Sequence, residues 1–229
     1  LNIISRILSM KYKEPSNWVL PKHDTFFKKF KDRGELYSMT LPDWEIAEQY
    51  LNQKRGCLDI GGHVGTTALR YANNFEKVYT FEPLYHEALK KNLVDVTNLK
   101  IYPYAVSDKE EEMTMIHRTG NTGLSMIITE ETKHYKNRAG YDPKEIKMQT
   151  KVVDDYNFTE IDFIKIDTEG FVLRPLKGML KTLENNDWPL LQIEFNNLNP
   201  NTEECFKLLK ELNYTKVDQF HVDHFFQRV

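Results

Sequence analysis

Two short stretches of this 229-residue chain carry residue types that can do chemistry. The first is Asp59-Ile60-Gly61-Gly62-His63-Val64-Gly65, which follows an apolar run and leads at once into a helical pattern. Glycines between a strand and a helix let the backbone turn sharply and approach a ligand closely, and the helix amides attract a negative group. Seventeen residues beyond Gly65, a second apolar run ends in Phe81-Glu82-Pro83. An acid at the end of that strand can accept hydrogen bonds from both hydroxyls of a ribose. Turn and acid together predict a site for a nucleoside-bearing cofactor. The turn reads Asp-x-Gly-x-x-x-Gly, not the G-x-G-x-x-G of dinucleotide sites. Its carboxylate would repel a pyrophosphate but suits an ammonium and a sulfonium. S-adenosylmethionine (SAM) carries both, so SAM is the expected cofactor and a nicotinamide the rival that the spacing opposes.

The second stretch is Lys165-Ile166-Asp167-Thr168-Glu169-Gly170, to which Glu194 adds a third carboxylate near the end of a later strand. Asp167 and Glu169 share a direction if the strand stays extended. A hydroxyl is a poor nucleophile near neutral pH, so it needs a general base or a metal ion. Two readings stay open. Asp167, Glu169 and Glu194 hold a hard cation such as Mg²⁺ through oxygen ligands, or one carboxylate, or His117, acts as the base without a metal. Lys165 on a central strand is expected to form an ion pair that neutralises this carboxylate cluster, because an unpaired buried ammonium is strongly unfavourable.

The elements that must position these groups follow an alternating pattern. Strands are expected at 57–60, 77–81, 99–106, 161–166 and 189–195, with helices at 66–73, 84–94, 172–184 and 203–212. A closing hairpin is expected from Tyr214–Phe220 and His224–Val229. Strands separated by helices in this way mean a mostly parallel sheet with helices on both faces. Upstream, Thr40 is expected to cap a helix through Leu51. Asp24–Lys31 reads as a helix with Phe26, Phe27 and Phe30 inward, and Asn2–Met10 as a short amphipathic helix. Residues 109–153 break the rhythm, with two strand-like pieces around a weakly periodic tract, as a functional lid or binding loop does.

Thirty-one basic against 34 acidic residues give a net charge of −3, which argues against nucleic-acid binding driven by charge. No run of 18 apolar residues exists to span a membrane. Cys57 and Cys205 are too few for a disulfide scaffold and read as buried thiols in a reducing compartment. The expected location is the cytoplasm, or a host cytoplasm if the AT-rich composition is viral. The chain opens on Leu1, which points to a piece of a longer protein such as a glycan-building enzyme.

The motifs LDIGGHVGTTAL (58–69), YTFEP (79–83), YAVSD (104–108), GNTGLS (120–125), VVDDY (152–156), DFIKIDTEGFVLRPLKG (162–178) and LLQIEF (190–195) resemble the FkbM family of class I SAM-dependent methyltransferases. The resemblance implies a Rossmann-like fold, a seven-stranded sheet with a C-terminal antiparallel hairpin. It also implies O-methylation of a hydroxyl on a sugar, a glycan or another small molecule such as a polyketide. Residues 1–40 would form an N-terminal appendage and 41–229 the methyltransferase domain, with 109–153 the substrate loop. Asp59, Gly61, Gly62, His63 and Gly65 would line the methionine half of SAM, Glu82 and Pro83 the ribose, and Val106, Ser107 and Asp108 the adenine. Asn121 and Ser125 would donate to the substrate or cofactor. Many members carry Glu where Val172 stands, so any role of that acid lapses here. A nucleic-acid methyltransferase is disfavoured, since no Asn/Asp-Pro-Pro-aromatic or Pro-Cys motif is present. A non-catalytic fold-mate would have no reason to keep Asp59, Gly61, Gly65 and Glu82 together.

Overall fold

The computed structural model describes residues 10–130, 132–133 and 143–228. The expected helix at Asn2–Met10 lies almost wholly outside the described residues. Seven strands form the main sheet: β1 (Gly56–Ile60), β2 (Lys77–Phe81), β3 (Leu99–Tyr102), β8 (Phe163–Ile166), β9 (Leu190–Glu194), β10 (Tyr214–Phe220) and β11 (Asp223–Arg228). Their order is β10-β11-β9-β8-β1-β2-β3. The first five strands in chain order run parallel, and β10 and β11 form the antiparallel hairpin, with β11 paired to β9. The chain leaves β1 toward β2 and β3, then returns to the other side of β1 with β8. The strand order therefore reverses between β1 and β8, the place where open α/β sheets bind ligands.

Register explains how the sheet is covered. On one face Leu58, Ile60, Ile164, Ile166, Leu191 and Ile193 form an apolar core. Helices α5 (Leu173–Lys177), α6 (Leu180–Asn185) and α7 (Thr202–Glu211) cover it with Leu176, Leu183 and Leu209. The opposite face starts apolar with Cys57, Val78, Phe163 and Leu190, under Trp44 and Ala47 of α2 (Leu41–Tyr50) and Tyr71 of α3 (Thr66–Ala72). Two residues further along the strands that face turns polar. Thr80, Asp59, Lys165 and Gln192 stand in register across four strands, all buried.

Residues 10–40 pack onto the same body. Trp18, Leu36 and Tyr37 share a buried cluster with Ala68 and Leu69 of α3 and with Leu89 of α4 (His86–Asn92). Within α1 (Phe26–Asp32), Phe27 and Phe30 pack against that cluster, but Phe26 is exposed rather than inward as expected. Thr40 precedes α2 without capping it; its hydroxyl donates to the Tyr37 carbonyl and accepts from Arg70 Nε.

Three further expectations change in detail. The strand at 99–106 divides at Pro103-Tyr104, because proline has no N–H to continue the ladder. Its second part, β4 (Ala105–Val106), joins another sheet. That sheet, β4-β7-β5-β6, is built largely from the 109–153 region: β5 (Glu112–Arg118), β6 (Met126–Ile127) and β7 (Pro143–Lys151). The helix at 172–184 divides at Gly178-Met179. A Cβ at Gly178 would lie 2.1 Å from the Ser107 carbonyl oxygen, so glycine is what lets α5 end against the 104–108 segment.

Candidate functional site

The glycine turn is held by its neighbours on both sides. Gly61 and Gly65 have φ of 97° and 98°, and His63 between them is also left-handed at 47°. Gly61 N and Gly62 N both donate to the Phe81 carbonyl at the end of β2, at 2.9 and 3.2 Å. A Cβ on Gly61 would sit 1.8 Å from the Asp167 carbonyl oxygen, and one on Gly62 2.1 Å from Thr80 Oγ1. The glycines thus admit close packing of β8 and β2 as well as the turn itself. Asp59 lies beneath the turn, fully buried, accepting from Thr67 Oγ1 at 3.1 Å and Thr80 Oγ1 at 3.2 Å. Burial raises its pKa, while Lys165 and the two threonines pull it back. Neither Asp59 nor Gly65 lines the cleft above, so their expected direct contact with a cofactor gives way to a supporting position.

Glu82 does line the cleft and also fastens the turn. Its Oε2 accepts from His63 N at 2.8 Å, and its Oε1 from Leu84 N and Tyr85 N at 2.7 and 2.9 Å. A carboxylate has about four lone-pair positions. Three are used, so about one remains for a ligand hydroxyl where the sequence suggested two contacts. Burial pushes Glu82 up to about 7 against the pull of those three N–H donors.

The cleft runs from this turn past Pro83, Tyr104, Ala105 and Val106, under Met115 and Ile127 of the second sheet and the neighbouring Ser125, to Lys165, Asp167, Thr168 and Glu169. Ser107 and Asp108 do not line it. Ser107 is fully buried with its N–H on Lys151 O, and Asp108 pairs with Arg174 Nε at 2.6 Å. Although burial works the other way, Arg174 holds the Asp108 carboxyl below its ordinary range. Of the expected adenine segment only Val106 therefore meets the cleft, joined by Tyr104 and Ala105.

At the far end three carboxylates converge. One oxygen each of Asp167, Glu169 and Glu194 lie within 4.8 Å of one another. The route differs from the extended strand expected: β8 ends at Ile166, and Glu169 adopts φ of 52° before Gly170 at 91°. Non-glycine residues held in this region cost about 1–3 kcal/mol and cluster at functional sites. Lys165 Nζ pairs with Asp167 Oδ2 at 2.7 Å, the ion pair expected. Burial disfavours the ammonium, but Asp167, Asp59 and Asp223 outweigh it and hold Lys165 protonated. Asn196 Nδ2 donates to both Glu169 Oε2 and Glu194 Oε2, at 3.1 and 2.8 Å. Burial and the negative charge of Asp167 raise Glu169 and Glu194 well above ordinary carboxylates. The pair can thus retain a proton near neutral pH.

His117 and Asn121 do not line the cleft, whereas Ser125 does. His117 Nε2 is buried with no hydrogen-bond partner among the described residues, and burial lowers the pKa of the ring, with Lys144 adding to it. Ser125 Oγ meets Tyr85 OH at 2.7 Å and accepts from Arg118 N at 3.1 Å. Residues that sequence reasoning did not single out also shape the cleft: Phe27 and Tyr85 flank the His63 ring, and Thr122 bonds to it. Their partners are distant in sequence, so no local pattern marks them.

A mostly parallel sheet with a glycine turn and an acid at its switch point, and carboxylates at the next strand end, is a Rossmann-like ligand-binding arrangement. Residues 59–227 match the methyltransferase FkbM domain, and the chain belongs to this methyltransferase family. Among solved structures it resembles the methyltransferase FkbM from Methylobacillus flagellatus KT at 15% identity and a TM-score of 0.51, over 76% of this chain and 44% of that one. This chain thus spans less than half the length of that protein. It also resembles SMU.1697c from Streptococcus mutans, solved in complex with SAH, at 11% identity and a TM-score of 0.47, over 80% of this chain and 92% of the other. An rRNA methylase from Streptococcus thermophilus matches at 14% identity and a TM-score of 0.46, over 80% and 89%. At such identities the likeness speaks to fold alone. No curated protein matches the chain. Among the described residues, no helix is long and apolar enough to cross a membrane.

Proposed function

We propose that the enzyme methylates a hydroxyl oxygen, with a sugar or glycan as the acceptor. The observation that carries this reading is the convergence of Asp167, Glu169 and Glu194 at the end of the cleft. SAM, when bound, supplies an activated methyl group on a sulfonium. Glu82 and the turn at Gly61-Gly62-His63 would hold it at one end and Val106 with its neighbours at another. Glu82 and Asp167 bring carboxyl oxygens to the cleft wall, acceptors that suit this cofactor's hydroxyls and ammonium. The acidic corner takes the proton that leaves the acceptor hydroxyl, with Asp167 the first candidate because it lines the cleft and is held by Lys165.

A polyhydroxylated acceptor suits the same corner. Asp167 and Glu169 line the cleft there, and their carboxyl oxygens accept hydrogen bonds from hydroxyls. Gln192 Nε2 donates to Asp223 Oδ1, and Asp223 pairs in register with Glu194. The three clustered oxygens also have the chemistry to hold Mg²⁺. However, Lys165 and Asn196 already satisfy several of them, which favours the reading without a metal. A smaller polyketide-like hydroxyl is the second acceptor class.

The test is methyl uptake from labelled SAM by a panel of monosaccharides and glycans, with and without EDTA. Label in an ether-linked methyl on a sugar, indifferent to EDTA, is expected. Label only in nucleic acid or protein overturns the acceptor class. Loss with EDTA that Mg²⁺ restores overturns the metal-free chemistry.

A further inference from the structure

Two residues before α1, Asp24 reaches the donor turn through a hydrogen-bonded chain. Asp24 is 4% exposed although it lies in the N-terminal segment. Its Oδ1 accepts from Phe27 N at 2.6 Å, and its Oδ2 from Thr122 N at 2.9 Å and from the Thr122 hydroxyl. A threonine hydroxyl has one proton. Given to Asp24, it leaves Thr122 Oγ1 only as an acceptor toward His63 Nε2, 2.8 Å away. The proton of the neutral imidazole is therefore on Nε2 and the lone pair on Nδ1. Phe27 and Tyr85 fix the ring plane, with centroids at 4.4 and 4.9 Å. His63 lines the cleft, and its ring is hydrogen-bonded to Thr122 through Nε2, on the side away from Nδ1. Burial lowers the His63 pKa to about 4, which keeps the lone pair available at neutral pH.

We propose that His63 recognises the ammonium of SAM's amino-acid end through Nδ1, and that Asp24 and Thr122 are positioning residues that set its tautomer. The inference rests on the reading that the cleft holds SAM with its amino-acid end at the glycine turn. A ring whose N–H is already committed to Thr122 offers the cleft only an acceptor. It selects an ammonium and turns away a carboxylate. The N-terminal segment is thereby part of donor recognition. Thr25 N and Phe26 N hold it in place through the Gly120 carbonyl, at 3.0 and 3.2 Å.

Calorimetric titration of the full chain with S-adenosylhomocysteine and with its analogue lacking the α-amino group tests this. The wild type should bind the amino compound about ten-fold more tightly, as one hydrogen bond to a charged group provides. T122V should bring the two affinities within about two-fold, and T122S, which keeps the hydroxyl, should restore the difference. The His63 ring ¹⁵N shifts should report the Nε2–H form in the wild type and T122S and mainly the Nδ1–H form in T122V, where the Nε2–H has lost its acceptor. This readout does not respond to a merely structural change. A folded T122V that still discriminates overturns the proposal, as does one that keeps the ratio but raises the acceptor KM. Wild-type protein that binds neither compound overturns the underlying donor reading itself.

Discussion

The two walls of the cleft are built in opposite ways. The donor wall is a contiguous turn locked by its own neighbours: Gly61 and Gly62 hang from Phe81, and Glu82 ties His63, Leu84 and Tyr85. The acceptor wall is assembled from pieces far apart in the chain. Its sheet needs β4 beside β7 and β5 beside both β6 and β7. A wall made of one segment is rigid and leaves little room for substitution. A wall made of several can vary its lining while the sheet beneath stays the same. This division fits an enzyme whose donor is fixed and whose acceptor is particular to it.

The largest expected effect lies where the walls meet. Asp167→Asn should lower turnover of the true acceptor by about 10²–10⁴-fold, the range for loss of a general base, with SAM affinity little changed. Full activity would remove Asp167 from the chemistry and leave the acidic corner to the acceptor wall. Glycine substitutions then separate the walls directly. Gly61→Ala combines a φ of 97° with a Cβ 1.8 Å from a backbone oxygen, and urea unfolding should show a loss of about 3 kcal/mol or more. Gly123→Ala meets the tip of the Phe27 ring at 3.0 Å and should lose under about 1 kcal/mol. Equal losses would erase the contrast.

The smallest effect is in pH dependence. Burial pushes Asp43 up to about 7, with Asp223 adding to this and Lys165 opposing it; Glu82 is likewise raised to about 7. Both ordinary values are lower, 3.8 and 4.5, so the folded chain keeps protons that the unfolded chain has released. Their contribution to stability is complete below the ordinary carboxylate range and is lost as pH rises through about 7. His63, lowered from 6.5 to about 4, acts in the reverse sense between those values. Thermal melts of D43N from pH 5 to 8 should therefore decline less steeply with pH than those of the wild type. An unchanged slope would show that Asp43 does not carry it.

How much could be read in the sequence follows from how each part is made. The turn, Glu82 and the β8 carboxylates are contiguous letters with one local geometry, and the strand and helix order came from periodicity. The breaks at Pro103 and Gly178 were written in the residues, but their outcome depended on partners: β7 for Ala105–Val106 and the Ser107 carbonyl for Gly178. Ser107 and Asp108 looked like cleft residues because their neighbours are. The register that turns them to Lys151 and Arg174 is set 44 and 66 residues away. Asp24 carried no local mark, since its partner Thr122 lies 98 residues on.

The central claim is that the crevice between β1 and β8 takes up an adenosyl sulfonium with Glu82 as an anchor. Titration of the full chain and of E82A with SAM, followed calorimetrically, tests it most directly. The account predicts one micromolar site in the wild type and an affinity at least about ten-fold weaker in E82A, the loss of a charged hydrogen-bond acceptor. A wild type that takes up no SAM, or an E82A that binds it as tightly, would contradict it.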